Sequence, residues 1–151
     1  MIKINVVAVG KVKEQYFAAA IEEYKKRLSA FCTVTVTEVK EAALDTPARI
    51  LAAESGDILR LIKGKTYSLA IEGQKLSSEE FASIIKSAVD SGTQLTFIIG
   101  SSHGLDKTVK AASSSLISFS DMTFPHTMAR VMLFEQIYRA FTIISGKTYH
   151  K

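Results

Sequence analysis

One cysteine, two prolines and three histidines are all that 151 residues contain of these types, and each scarcity excludes something. A lone Cys32 rules out an internal disulfide, so a reducing, cytoplasmic setting is expected. Its neighbours read as strand and no histidine lies near it in sequence, which favours a buried thiol over a reactive one. No uninterrupted apolar run is long enough to span a bilayer, so no membrane partner is expected. The start, MIKINVVAVG, is apolar but short and lacks a small-residue cleavage pattern; it reads as a first strand, not a signal peptide. Nucleotide fingerprints are also missing. The first strand ends VAVGKVKEQ with one glycine, so G-x-G-x-x-G fails. GKTY occurs at 64–67 and 146–149, but Leu59 and Phe141 stand where a phosphate loop needs its leading glycine. No metal-ligand spacing occurs.

The composition, 47% hydrophobic and 23% charged, suits one globular domain over residues 1–151. Charge is uneven. Residues 1–30 hold six Lys/Arg against three acids, and residues 122–151 hold four against one, around a mildly acidic middle. Basic ends would suit a polyanion if the fold brings them together, although solvated lysines alone would look the same.

Strand and helix patterns alternate along the chain. IKINVVAV (2–9), CTVTVTEV (32–39), TYSLAI (66–71) and QLTFIIG (94–100) read as strands, with LISFS (116–120) a weaker fifth; 94–100 is apolar enough to be central. Helices are expected over 13–31, from Thr46-Pro47 to about Lys63, from the Ser77/Glu80 capping box to Gly92, over 106–115, and from about Thr127 to Ser145. This order predicts an α/β fold, a mostly parallel sheet with helices on both faces. The last helix is apolar nearly all round, carrying only Arg130, Glu135 and Arg139 as charges, which suggests a second copy of the chain as its cover. Glu135 and Arg139 are spaced as an ordinary helical ion pair; Arg130 has no such partner and reads as the freer cation.

Candidate chemistry lies late in the chain. Gly100 and Gly104 in IIGSSHGLD allow close backbone approach to a ligand at the carboxyl edge of the sheet. FSDMTFPH (119–126) follows the next strand and falls on the same edge. His103, His126 and His150 all lie in the last third, in loops or the tail, which points towards a site.

Taken together, VVAVGK, IIGSSHGLD, FPHTMARVMLFEQIYRAFTI and the terminal YHK resemble the RlmH family over the whole chain, in order. That family comprises SPOUT-class methyltransferases that methylate N3 of a pseudouridine in 23S ribosomal RNA. The resemblance implies an α/β sheet whose C-terminal segment forms a trefoil knot, an exception to unknotted topology. It implies S-adenosylmethionine as cofactor, bound by Leu69, by Gly100, and by Phe119, Ser120, Asp121, Met122, Thr123 and Phe124. It also implies a homodimer built on the last helix, a tail Tyr149-His150-Lys151 near the active site, and 23S rRNA in the large subunit or assembled ribosome as partner. One departure stands out: the family usually has two glycines after this strand, whereas Ser101 follows Gly100. A serine would be strained there if the position required positive φ.

Methyl transfer to a ring nitrogen needs in-line positioning and removal of the N3 proton. His126 is the first candidate base or donor, with helix capping as its structural alternative. Arg130, one turn on, would hold a phosphate or carbonyl. His150 is the second candidate base, on a tail that RNA could order. Two other classes are weighed beside this: a non-enzymatic RNA-binding or ribosome-assembly module, and a small-molecule domain, which would need the missing glycine fingerprint.

Overall fold

The computed structural model describes residues 1–151. Ten elements alternate as expected: β1 (Ile2–Val9), α1 (Gln15–Leu28), β2 (Cys32–Val39), α2 (Pro47–Leu61), β3 (Lys65–Lys75), α3 (Ser78–Ser91), β4 (Leu95–Ile99), α4 (Lys107–Ala112), β5 (Ser115–Ser118) and α5 (His126–Ile144). All strand pairs are parallel, in the order β2-β1-β4-β3-β5. The apolar run of β4 therefore sits at the centre, buried on both faces.

The period-two alternation of β1 sorts its residues between two cores. Ile4, Val6 and Ala8 join α1, α3 and α5 on one face; Val7 and Val9 join Ile58 of α2 and Val109 of α4 on the other. Polar residues in the thinner layer are matched locally. The Thr96 hydroxyl donates to Lys63 O at 2.6 Å, and the Asn5 amide to Leu61 O at 3.0 Å. No helix is long and apolar enough to cross a membrane.

The helix starts follow the capping chemistry read from sequence. Thr46 Oγ1 accepts from Arg49 N at 3.3 Å, ahead of Pro47. Ser77 and Glu80 form the reciprocal capping box, with bonds of 3.1 and 2.7 Å. Such a cap contributes about 1 kcal/mol.

Some boundaries differ from expectation. α1 ends at Leu28, short of 31, β5 at Ser118, short of 120, and α4 at Ala112, short of 115. β3 runs on to Lys75, but its register on β5 jumps between Leu69 and Gln74, so residues 70–73 bulge out at the sheet edge. Gly73 makes this possible: a Cβ there would stand 2.7 Å from Ile117 backbone atoms.

Candidate active site

β4 and β5 end beside the bulge of β3, and that bulge with the loops leaving the two strands borders a hollow of about 410 Å³. Leu69 comes from β3, Gly100 from the end of β4, and Phe119, Ser120, Met122, Thr123 and Phe124 from the segment between β5 and α5. His126 and Ala129, in the first turn of α5, complete one wall. Parallel strands open their carboxyl ends to ligands at this kind of place.

Each wall has a local cause. After β4 the chain turns at once: Gly104 N donates to Ser101 O at 2.9 Å, and Gly104 takes the positive φ of +83°. A Cβ at Gly100 would stand 2.3 Å from Gly104 O, so only glycine closes this turn. No non-glycine residue has positive φ. Ser101 is thus unstrained, and the turn places its left-handed residue three positions later than the serine. After β5, Ser120 Oγ accepts from Met122 N at 3.0 Å, holding the segment that leads to Pro125.

His126 opens α5 directly behind Pro125, and no side chain caps that helix end. The capping role is therefore not the one it plays. Its Cε1 and the Glu41 carboxylate each lie 3.7 Å from the point a Gly10 Cβ would occupy. That is ordinary contact distance; what calls for glycine at the end of β1 is its φ of +87°. His103 also lines the hollow, exposed at the turn.

Arg130 departs from expectation. Its side chain is 4% exposed, donates to Glu38 Oε2 at 2.7 Å and to Gly10 O at 3.1 Å, and does not line the hollow. Sequence spacing found it no partner because its partner lies 92 residues away. Its Nε is buried without an acceptor. A guanidinium held this way is bolting α5 to the ends of β1 and β2.

The tail departs as well. His150 Nδ1 lies 3.2 Å from an Arg139 guanidinium nitrogen, and Nε2 lies 2.8 Å from Glu79 Oε1. Tyr149 donates to Glu135 Oε1 at 3.2 Å, with Arg139 stacked 4.8 Å from its ring centre. Glu135 lines a second hollow of about 320 Å³, bounded by Leu76, Phe81, Met132 and Gln136. Ile117, Ser118 and Phe119 belong to both hollows and form the partition. Within this fold the tail thus gathers at the second hollow, with His126 at the first. Asp121 is exposed and pairs with Lys75 at 2.5 Å instead of lining the first hollow.

Residues that the sequence did not single out also reach the rim. Ile71, 56% exposed, comes from the β3 bulge. Glu72 beside it pairs with Lys110 of α4 at 2.5 Å, and that bond holds the Glu72 carboxyl below its ordinary range. The only available signal was Gly73, whose meaning depends on the close approach of β5.

Comparison with known proteins agrees with this geometry. Residues 2–150 match the family model described as "Predicted SPOUT methyltransferase". The chain is 44% identical over 153 residues to "Ribosomal RNA large subunit methyltransferase H" of Caldicellulosiruptor saccharolyticus, covering 98% of this chain and 99% of that one. A protein of the same name from Lactobacillus helveticus is 46% identical over 159 residues, with the same coverage. Among solved structures, a probable methylase family protein from Haemophilus influenzae Rd KW20 superposes with a TM-score of 0.57 at 12% identity. It covers 97% of this chain and 67% of that chain, a likeness of fold.

Proposed function

The chain belongs to the SPOUT methyltransferase family, and from that premise we propose that it transfers a methyl group from S-adenosylmethionine to N3 of a pseudouridine in 23S rRNA of the large ribosomal subunit. One observation carries the reading. His126 and seven of the eight residues expected to bind the cofactor line a single hollow at the carboxyl ends of β4 and β5 beside the β3 bulge. The naming of full-length relatives as large-subunit rRNA methyltransferases supports the substrate class.

The lining suits the cofactor chemically. Leu69, Phe119 and Phe124 offer apolar surface for a purine and a thioether chain, while the serines and backbone groups of the two turns offer hydrogen bonds. S-adenosylmethionine, when bound, supplies an electrophilic methyl group. The protein's share is to position, to exclude water and to take one proton. The N3–H of a uracil-type ring is a weak acid, so the nucleophile must lose that proton, and His126, on the α5 wall of the hollow, is the base we assign to accept it. Arg130 keeps the first turn of α5, and with it His126, fixed to the ends of β1 and β2. Such a mechanism requires no metal.

The same reading includes a homodimer, supported by the half-buried Met128, Val131 and Met132 along α5. Residues 1–151 form a single five-stranded α/β unit, and we expect its target selection to rest on a large preformed surface, with the assembled subunit or ribosome as substrate and short RNA hairpins as poor ones. Mass spectrometry of 23S rRNA from cells lacking the protein tests the function. One N3-methyl pseudouridine should disappear, return with the wild-type chain, and fail to return with His126→Ala, which should slow transfer by about 100-fold or more. An unchanged methylation pattern would overturn the substrate. Full restoration by His126→Ala would remove His126 as the base.

A further inference from the structure

Glu54 is a buried carboxylate with no cation beside it. It lies on α2, 2% exposed, on the opposite side of the sheet from α5. A carboxylate withdrawn from water is costly unless donors replace the lost hydration. Here the donors come from two separate loops at the carboxyl edge of the sheet. Ala42 N, between β2 and α2, donates to Oε2 at 3.0 Å, and Ser101 Oγ, just after β4, donates to Oε1 at 3.4 Å. Ser101 Oγ in turn accepts from His103 N at 3.3 Å.

We infer that Glu54 is a positioning residue that holds the Gly100–Gly104 turn in its ligand-ready shape by way of the Ser101 hydroxyl. This rests on the reading of the first hollow as the cofactor site. The turn has little else to hold it. Its internal support is one backbone bond, Gly104 N to Ser101 O, the His103 N to Ser101 Oγ bond, and the close approach at Gly100. Ser102 and His103 at its tip are exposed. A glycine at position 101 would have no hydroxyl to give, so the link belongs to this chain's serine. A turn already fixed in its bound shape loses less freedom when a ligand arrives, and affinity rises accordingly.

The test is a double-mutant cycle read on S-adenosylmethionine affinity by calorimetry, with urea unfolding of every variant. Ser101→Ala and Glu54→Ala should each weaken binding about fivefold, and the double variant should be no weaker than the worse single one. Glu54→Gln should stay close to wild type: its amide oxygen can accept from Ala42 N–H while its NH₂ donates to Ser101 Oγ. Amide exchange at His103 and Gly104 should quicken in Ser101→Ala, so the test survives even if Glu54→Ala does not fold. Unchanged affinity in Ser101→Ala, or fully additive losses, would overturn the inference while leaving the cofactor site in place. A wild-type chain that does not bind S-adenosylmethionine would overturn the site reading, and the inference with it.

Discussion

The two ends of α5 each carry an arginine paired with a glutamate, and the pairs work in opposite ways. Arg130 reaches out of its helix to Glu38, 92 residues earlier, and its side chain is 4% exposed. Arg139 reaches back one turn to Glu135 at 2.7 Å, with side chains 25% and 19% exposed. The first pair closes the fold around the end of β1. The second, joined by Tyr149 and His150, collects the tail. Burial and sequence distance, not residue type, decide which arginine holds tertiary structure and which organises a surface. The buried guanidinium has donors to satisfy and a desolvation cost to offset; the partly exposed one keeps water as an alternative partner.

The sharpest way to break this comparison is Arg130→Ala. It strands Gly10 O and removes the cation from Glu38, and we expect a loss of about 3 kcal/mol in urea-unfolding free energy, the lower end for a broken buried pair because Glu38 remains partly in water. Arg130→Lys keeps the charge but not the forked donor set, so it should fall between. A loss below about 1 kcal/mol for Arg130→Ala would place the pair with ordinary surface pairs and erase the contrast.

At the other end, Glu135→Gln should cost about 1 kcal/mol or less in the same experiment. Its clearer signature is in Tyr149, whose ionisation is pushed up to about 12, first by burial, then by its hydrogen bond with Tyr24 and the Glu135 charge. A raised phenol stabilises the fold fully below its ordinary value of 10.0; that contribution is lost as pH rises through about 12. Removing the Glu135 charge should bring the tyrosinate absorbance step to lower pH, only part of the way because burial remains. An unmoved step would detach Tyr149 from the network.

The same contrast explains what could be read in the chain beforehand. Periodicity and caps are local, so β1 and β2 were legible to the residue, and Thr46-Pro47 and Ser77/Glu80 marked helix starts that the structure repeats. Glu135–Arg139 was legible for the same reason, being an i, i+4 spacing. Arg130–Glu38 and Glu54–Ser101 were not, since each depends on which loops the sheet order β2-β1-β4-β3-β5 brings together. The β3 bulge was hidden likewise: nothing in KTYSLAIEGQK says that β5 will pass within reach of Gly73. Of the site, the strand-end loops and the PH turn were visible as motifs, and the shared hollow follows from parallel strands ending on one edge. The tail was the opposite case. A short polar terminus usually frays, yet stacking on Arg139 and the Glu79 bond hold this one.

That last contact gives the smallest effect. Glu79 lies in the first turn of α3, where its carboxyl titrates below the ordinary value of 4.5, chiefly through the bond from His150 and then through its own backbone N–H. A carboxyl with a depressed folded value adds stability above the unfolded value and loses it as pH falls through the folded one. His150→Ala should therefore raise the Glu79 midpoint towards 4.5 without reaching it, because the backbone bond stays. It should also leave the neutral-pH unfolding free energy nearly unchanged, since the pair is exposed and screened. Carbon-detected carboxyl titration resolves the shift. If the midpoint does not move, the tail is not pinned at Glu79, and the C-terminal end of α5 holds only the local Glu135–Arg139 pair and the stacked tyrosine.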